Sequence, residues 1–306
     1  MWHVLEAQQF NKKLIAQVFD TADKMADVVK AGGSQELRGK ILGTFFYSIS
    51  TRTRLSFESA MLRLGGSIIS TEHPQSFSAD AMGGSLEDSI RMAGSYADAL
   101  VLRHPAEGAA QRAAAVSSIP VINAGDGGGQ HPTQALLDLY TIYRAIGGIE
   151  GVSVVVMGDL SNSRTIRSLC YFLAKYSGVR IRMVAPKQLA MGQDIIDYLK
   201  RHQVIFTQID GPVRDHIDVL QRADVVYQTD LPRTGNELRE EPIHQAYRID
   251  KRLLEAMPKR TIIMHPFPRV DGISPEVDQD RRAFYFQQIT NGLYVRMALL
   301  KMVMGG

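Results

Sequence analysis

Ile41-Leu42-Gly43-Thr44-Phe45-Phe46-Tyr47-Ser48-Ile49-Ser50-Thr51-Arg52-Thr53-Arg54, continued by LSFESAMLRLGG to Gly66, sets an apolar run, a hydroxyl-rich turn and a helical pattern in direct succession. Ile41–Phe46 reads as a strand and Arg52–Leu64 as a helix. A helix that opens at the end of a strand presents N–H groups without intrahelical partners and a partial positive charge. An arginine beside them adds a planar fork for phosphate oxygens. The same spacing is also that of an ordinary N-cap, made by Ser50 or Thr51, with two surface arginines behind it.

Outward from this stretch the pattern repeats. Ala99–Leu102, Ile119–Ile122, Val152–Met157, Val179–Val184, Val204–Gln208, Val225–Tyr227 and Thr261–Met264 read as further strands. Pro132–Ala145, Ser163–Lys175 and Ile195–Arg201 read as helices between them. Alternating strand and helix predicts an α/β fold: two doubly wound parallel-sheet domains, with an active site in the cleft between them. The glycines Gly125–Gly129 and Gly147–Gly148 bracket one long helix midway along the chain, which predicts domains of 1–148 and 149–306. A last helix, about 291–303, has room to return to the first domain.

The 306 residues suffice for two ordinary domains, and 45% hydrophobic with 22% charged residues is the balance of a globular chain. A net charge of +3 without any Lys/Arg run argues against nucleic acid. No run of 18 apolar residues suggests a membrane span, and MWHVLEAQQF has no signal-peptide pattern. Cys170 is the single cysteine, so no internal disulfide forms and a reducing, cytoplasmic setting is expected.

Three other segments carry chemistry. Val101-Leu102-Arg103-His104-Pro105 ends a strand on an arginine. GDGGGQHPTQ, 125–134, puts His131 and Gln134 at a second glycine-rich helix start, and His265-Pro266-Phe267-Pro268-Arg269 follows a strand. In order along the chain, FYSISTRTRLSFESAMLRLGG, LRHPAEGAA, NAGDGGGQHPTQALLDLYTI, GDLSNSRTIRSL, MHPFPRVD and YFQQITNGLYVRMALL resemble the aspartate/ornithine carbamoyltransferase family, and its aspartate branch in particular. That resemblance implies binding of carbamoyl phosphate and transfer of its carbamoyl group to an amino acid, with no cofactor and no metal. Ser50, Thr51, Arg52 and Thr53 would hold the phosphate. Arg103, His131 and Gln134 would bind and polarise the carbamoyl group, with the Pro266 and Phe267 backbone near its amide. Arg52, Thr53, Arg103 and His131 would be the catalytic set, and Arg164 would grip the acceptor's α-carboxylate. Arg296 matches a position that shapes the cleft, or else is a surface arginine supporting packing. A homotrimer is implied, with Ser78 and Met82 entering the neighbouring subunit's site, and further subunits are possible.

Four positions depart from the family pattern. Met82 stands where the family has a lysine, Ser48 where it has a glutamate, Asp230 where the aspartate branch has arginine and Pro232 where it has glutamine. Asp230 would set like charges together against aspartate. The expectation is therefore an active carbamoyltransferase whose acceptor is related to aspartate but carries a neutral or cationic side chain. The alternatives are an ordinary aspartate carbamoyltransferase of pyrimidine synthesis, compensated by Arg233 or a lysine from elsewhere, and a weak or inactive member that binds carbamoyl phosphate or supports a partner subunit.

Overall fold

Apolar runs too short for helices become strands, and the amphipathic stretches between them become helices. The computed structural model describes residues 2–72, 83–232 and 241–305. Its elements run α1 (Lys12–Lys30), β1 (Ile41–Phe46), α2 (Thr51–Arg63), β2 (Ser67–Glu72), α3 (Leu86–Ala93), β3 (Ala99–His104), α4 (Ala109–Val116), β4 (Val121–Asp126) and α5 (Pro132–Ile146). They continue as β5 (Ser153–Met157), α6 (Arg164–Leu173), β6 (Arg180–Ala185), α7 (Gln193–Arg201), β7 (Ile205–Asp210), β8 (Val225–Gln228), α8 (Glu241–Tyr247), α9 (Lys251–Ala256), β9 (Ile262–Met264) and α10 (Tyr285–Met304). One compact unit is Met1–Leu137 with Thr290–Gly306, and the other is Asp138–Ile289.

Each unit is built on one parallel sheet, of order β2-β1-β3-β4 in the first and β7-β6-β5-β8-β9 in the second. In the first unit the chain steps outward from β1 to β2 and then crosses back to lay β3 on the other side of β1. In the second it steps from β5 to β6 and β7 before β8 pairs with the free side of β5. Doubly wound sheets of this kind take ligands outside the carboxyl ends of their strands, at the point where the order reverses. That point lies between β1 and β3 in one unit and between β5 and β8 in the other. The predicted fold class of two parallel-sheet α/β domains is the one observed.

Burial follows position in the sheet. The central strand β5 is buried at every residue, as a parallel strand covered on both faces must be. β4 ends its sheet but is equally buried, its outer side paired with the Val4 segment. The edge strands β2 (SIISTE) and β7 (IFTQID) are polar and largely open to solvent. That polarity is why Ser67–Glu72 is missing from the strands predicted from sequence: an edge strand needs no continuous apolar run. The strand predicted at Ile119–Ile122 begins two residues later. Pro120 accepts the Leu100 N–H at 2.8 Å but has no N–H of its own to donate. The first core packs Phe45, Leu100, Leu102 and Val121 of the sheet against Leu86 and Ile90 of α3. In the second, Val155, Met157, Val226 and Ile263 meet Leu253, Leu254 and Tyr285.

Candidate active site

The carboxyl end of β1 leads into the N-terminus of α2. Ser50 is the N-cap residue, and its hydroxyl makes no capping hydrogen bond, so the ordinary N-cap arrangement allowed by the sequence is not the one formed. The first turn of α2 has no acidic residue, which leaves the helix dipole's positive end uncompensated there. Thr51 is exposed, Ser50 and Arg52 are half-buried, and Thr53 is buried. The turn is held from below. Thr44 Oγ1 on β1 lies 3.0 Å from Glu58 Oε1 on α2 and 2.9 Å from Ser70 Oγ on β2, and Ser70 donates to the same Glu58 oxygen at 2.7 Å. Thr44→Val removes a fully buried hydroxyl from this triad while keeping its volume, and should cost about 1–2 kcal/mol in urea unfolding. Arg296 of α10 donates to Ser56 Oγ and lies 5.1 Å over the Phe57 ring. It is 3% exposed, so it is not the surface arginine the sequence allowed, but a buried clamp on the first turns of α2.

The ends of β3 and β4 lie at the same edge of this sheet. Arg103 on β3 donates through Nη1 to the Ala124 carbonyl on β4 at 3.0 Å, while its own carbonyl accepts the Tyr47 N–H at 2.8 Å. The glycine-rich turn after β4 is organised by Asp126, which accepts from Gln130 N–H at 2.9 Å and Gly108 N–H at 3.1 Å. A Cβ on Gly127 would come within 2.6 Å of the Pro105 carbonyl oxygen, so only glycine lets the two loops close on each other. This turn delivers His131 and Gln134, both buried, to the start of α5, where the His131 carbonyl accepts the Gln134 and Ala135 N–H groups. Pro266 and Phe267 belong to the second unit, whereas Ser50–Thr53, Arg103, His131 and Gln134, expected from sequence to hold phosphate and carbamoyl, thus come from three neighbouring strand ends of one sheet. Asp126 and Glu58, which position them, were not singled out from sequence. Nothing local marks either one, since their partners lie up to 18 residues away.

In the second unit the neighbouring ends are those of β5, β8 and β9. Arg164 is the first residue of α6, reached through Gly158 and a turn in which Asp159 accepts from Ser161 Oγ and Asn162 N–H, each at 3.0 Å. After β9, His265 receives a built-in orientation. Its N–H donates to Gln288 Oε1 at 3.0 Å, and Gln288 in turn donates to the buried carboxylate of Asp138 at 2.6 Å, which also accepts the Tyr227 hydroxyl at 2.7 Å. The Phe267 N–H donates to His265 Nδ1 at 3.0 Å, which places the ring proton on Nε2. Phe267 itself sits at φ +51°, a conformation non-glycine residues rarely hold, and Pro266 precedes it in the same turn.

Asp230, at the end of β8, faces this turn. Its Oδ2 accepts the Val270 N–H at 2.9 Å, and its Oδ1 accepts the Asp271 N–H at 2.9 Å and the Gly272 N–H. His265 Nε2 lies 3.4 Å from Oδ2, long for a hydrogen bond. Burial acts to raise this carboxyl's pKa, but the histidine and the backbone donors outweigh it and hold the group at about 2. The negative charge that sequence set against an acidic acceptor is therefore already engaged by the chain's own N–H groups. Because the folded pKa lies below the unfolded value near 4, the carboxylate's stabilisation is complete above about pH 4. It is lost as pH falls towards 2, a change of about 2 kcal/mol. Asp230→Asn should remove that part of the acid-unfolding slope in melts run from pH 4 down to 2. Pro232 follows two residues on, half-buried. Arg233, Ser78 and Met82 lie outside the described residues.

A doubly wound unit that offers hydroxyls, an arginine and a helix N-terminus at its strand reversal belongs to the class of proteins that handle phosphorylated small molecules. Comparison with known proteins makes the class specific. Residues 2–144 match the model of the aspartate/ornithine carbamoyltransferase carbamoyl-P binding domain, and residues 150–303 that of the Asp/Orn binding domain. The chain is 48% identical over 307 residues to the chloroplastic aspartate carbamoyltransferase of Arabidopsis thaliana, covering 99% of this chain and 78% of that one. The catalytic subunit of M. jannaschii aspartate transcarbamoylase superposes with a TM-score of 0.91 at 43% identity, covering 99% and 98% of the two chains. Aspartate transcarbamoylase from Trypanosoma cruzi, in complex with carbamoyl phosphate and aspartate, superposes with a TM-score of 0.93 at 35% identity, covering 99% and 95%. The chain belongs to the aspartate/ornithine carbamoyltransferase family, and it is a carbamoyltransferase.

Proposed function

We propose that the acceptor is aspartate, and that the chain forms N-carbamoylaspartate and phosphate from carbamoyl phosphate and aspartate, as in pyrimidine synthesis. The observation that carries this over a neutral or cationic acceptor is the engagement of Asp230. A carboxylate that accepts three backbone N–H groups and faces His265 has its oxygens turned to the chain's own donors rather than offered to a cationic side chain. The full-length likeness to proteins named aspartate carbamoyltransferase points the same way.

In the proposed reaction Ser50, Thr51, Arg52 and Thr53 hold the phosphate against the N-terminus of α2. Arg103, His131 and Gln134 bind the carbamoyl group, and the Pro266 and Phe267 backbone meets its amide. The aspartate α-amine, gripped through its carboxylate by Arg164, attacks the carbonyl carbon. Negative charge builds on the carbonyl oxygen, where Arg103, His131 and the Thr53 hydroxyl are donors. The carbon–oxygen bond to phosphate then breaks, and the departing phosphate takes the amine proton. Orientation of the two substrates supplies much of the acceleration, since no covalent intermediate is formed with the protein. Ser78 and Met82 of an adjacent subunit would complete the site in a homotrimer, with Pro232 and Arg233 bordering the acceptor. Sedimentation should then give a mass about three times the 33.9 kDa of one chain.

A cytoplasmic setting remains part of the proposal. It is supported by the lone Cys170, which leaves the chain without an internal disulfide. No helix among the described residues is long and apolar enough to cross a membrane. Calorimetry with a bisubstrate mimic that joins a phosphonate to two carboxylates tests the acceptor. Tight binding, abolished when the side-chain carboxylate is replaced by an amine, is expected; equal or stronger binding of the amine analogue would contradict it.

A further inference from the structure

The turn after β9 holds a residue in an unfavoured conformation, Phe267 at φ +51°, and such a conformation persists only where its surroundings over-determine it. Two supports converge on it. From within the turn, the Phe267 N–H is tied to His265 Nδ1 at 3.0 Å. From β8, Asp230 reaches both the other ring nitrogen of His265, at 3.4 Å, and the N–H groups of Val270, Asp271 and Gly272. The carboxylate thus holds the turn five to seven residues on, while its Oδ2 faces the ring of the turn's first residue. The fit leaves no slack: a Cβ on Gly272 would stand 2.9 Å from Asp230 Oδ1 and 2.9 Å from Gln228 Cγ. An ionised carboxylate is the one side chain of this size that accepts on every side and donates nowhere, which is what a ring N–H and three backbone N–H groups require.

We infer that Asp230 is a positioning residue for the carbamoyl donor: it sets the turn that presents the Pro266 and Phe267 backbone to the carbamoyl amide, and it makes no contact with the acceptor amino acid. This rests on the chain's use of carbamoyl phosphate, and it replaces the acceptor-binding role that sequence suggested for the same residue. Asparagine at 230 keeps the shape but must put its NH2 group either at the Oδ2 place, facing His265 and the Val270 N–H, or at the Oδ1 place, facing the Asp271 and Gly272 N–H groups of the backbone. If it faces His265 Nε2, the imidazole must move its proton to Nδ1 to accept, and the Phe267 N–H is released. If it faces the backbone, two donors meet and the 270–272 end of the turn opens.

The experiment compares the full-length wild type with Asp230→Asn and Gly272→Ala, the second of which displaces the carboxylate while leaving it in the chain. Carbamoyl phosphate affinity is measured by calorimetry without acceptor, and the His265 tautomer by nitrogen NMR of ring-labelled protein. Expected are an Nε2–H tautomer in wild type and a carbamoyl phosphate Kd raised at least tenfold in both variants. The KM of the acceptor at saturating carbamoyl phosphate should change less than the donor's. A donor Kd unchanged in both folded variants, with the preference among acceptors altered instead, would overturn the inference. A wild type that binds no carbamoyl phosphate would defeat the functional proposal, whereas the tautomer comparison tests the Asp230–His265–Phe267 linkage whatever the substrate is.

Discussion

Arg103→Ala is expected to lower kcat by about 10²–10³-fold, the usual effect of removing one donor to a developing oxyanion, equivalent to about 3–4 kcal/mol. Arg103 is fixed on β3 by its Nη1 bond to the Ala124 carbonyl and by the Tyr47 N–H that its own carbonyl accepts. It can therefore act without reorganising when charge appears on the substrate. Arg103→Lys should keep the charge but lose the planar fork and the second donor direction, and so recover only part of the rate. The same substitutions should shift unfolding by about 1 kcal/mol, the usual worth of a partly buried hydrogen bond such as that to Ala124. Steady-state phosphate release, with urea unfolding alongside, checks both statements. A kcat within threefold of wild type for Arg103→Ala would remove Arg103 from the catalytic set.

Gly158→Ala is expected to be the most damaging single-methyl change in the second unit. Gly158 follows β5 at φ +107°, and a Cβ there would lie 2.0 Å from the Thr229 carbonyl oxygen. No flexible side chain can yield, because the obstructing atom is backbone. Thr229 is itself fixed by its N–H to the Met157 carbonyl at 2.8 Å. Relieving the overlap means parting the chain that leaves β5 from the chain that leaves β8, at the reversal that carries Arg164 and Asp230. Strain at positive φ alone costs about 1–2 kcal/mol, and the forced separation brings the expected loss to about 3–5 kcal/mol. Denaturant unfolding with a probe in the second unit measures it, and a change under 1 kcal/mol would contradict the close approach. Where the variant remains folded, acceptor use should fall through Arg164 and carbamoyl phosphate binding through Asp230.

Much of the donor half was legible because its chemistry is local. Strand, hydroxyl turn and helix lie within 41–66, and GDGGGQHP announces its own turn and helix start. What was not legible depends on partners far apart in sequence. Ser67–Glu72 is a strand because β1 pairs with it, not because its residues are apolar. Asp138 looks like any polar helix residue until Tyr227 and Gln288 close on it. Asp230 is the instructive case. Read against the family pattern, an acid in place of an arginine implied repulsion of an acidic acceptor. Its backbone donors come some forty residues later, and no local pattern reveals that they occupy its oxygens.

Carbamoyl transfer to aspartate is tested most directly by supplying the purified chain with isotopically labelled carbamoyl phosphate and, separately, aspartate, asparagine, ornithine and a short diamino acid, then identifying the product by mass spectrometry. The expected result is labelled N-carbamoylaspartate with one phosphate released per product, and little or no carbamoylation of the amide or diamino acids. Preferential carbamoylation of a diamino acid, or no labelled product with any of the four, would contradict it.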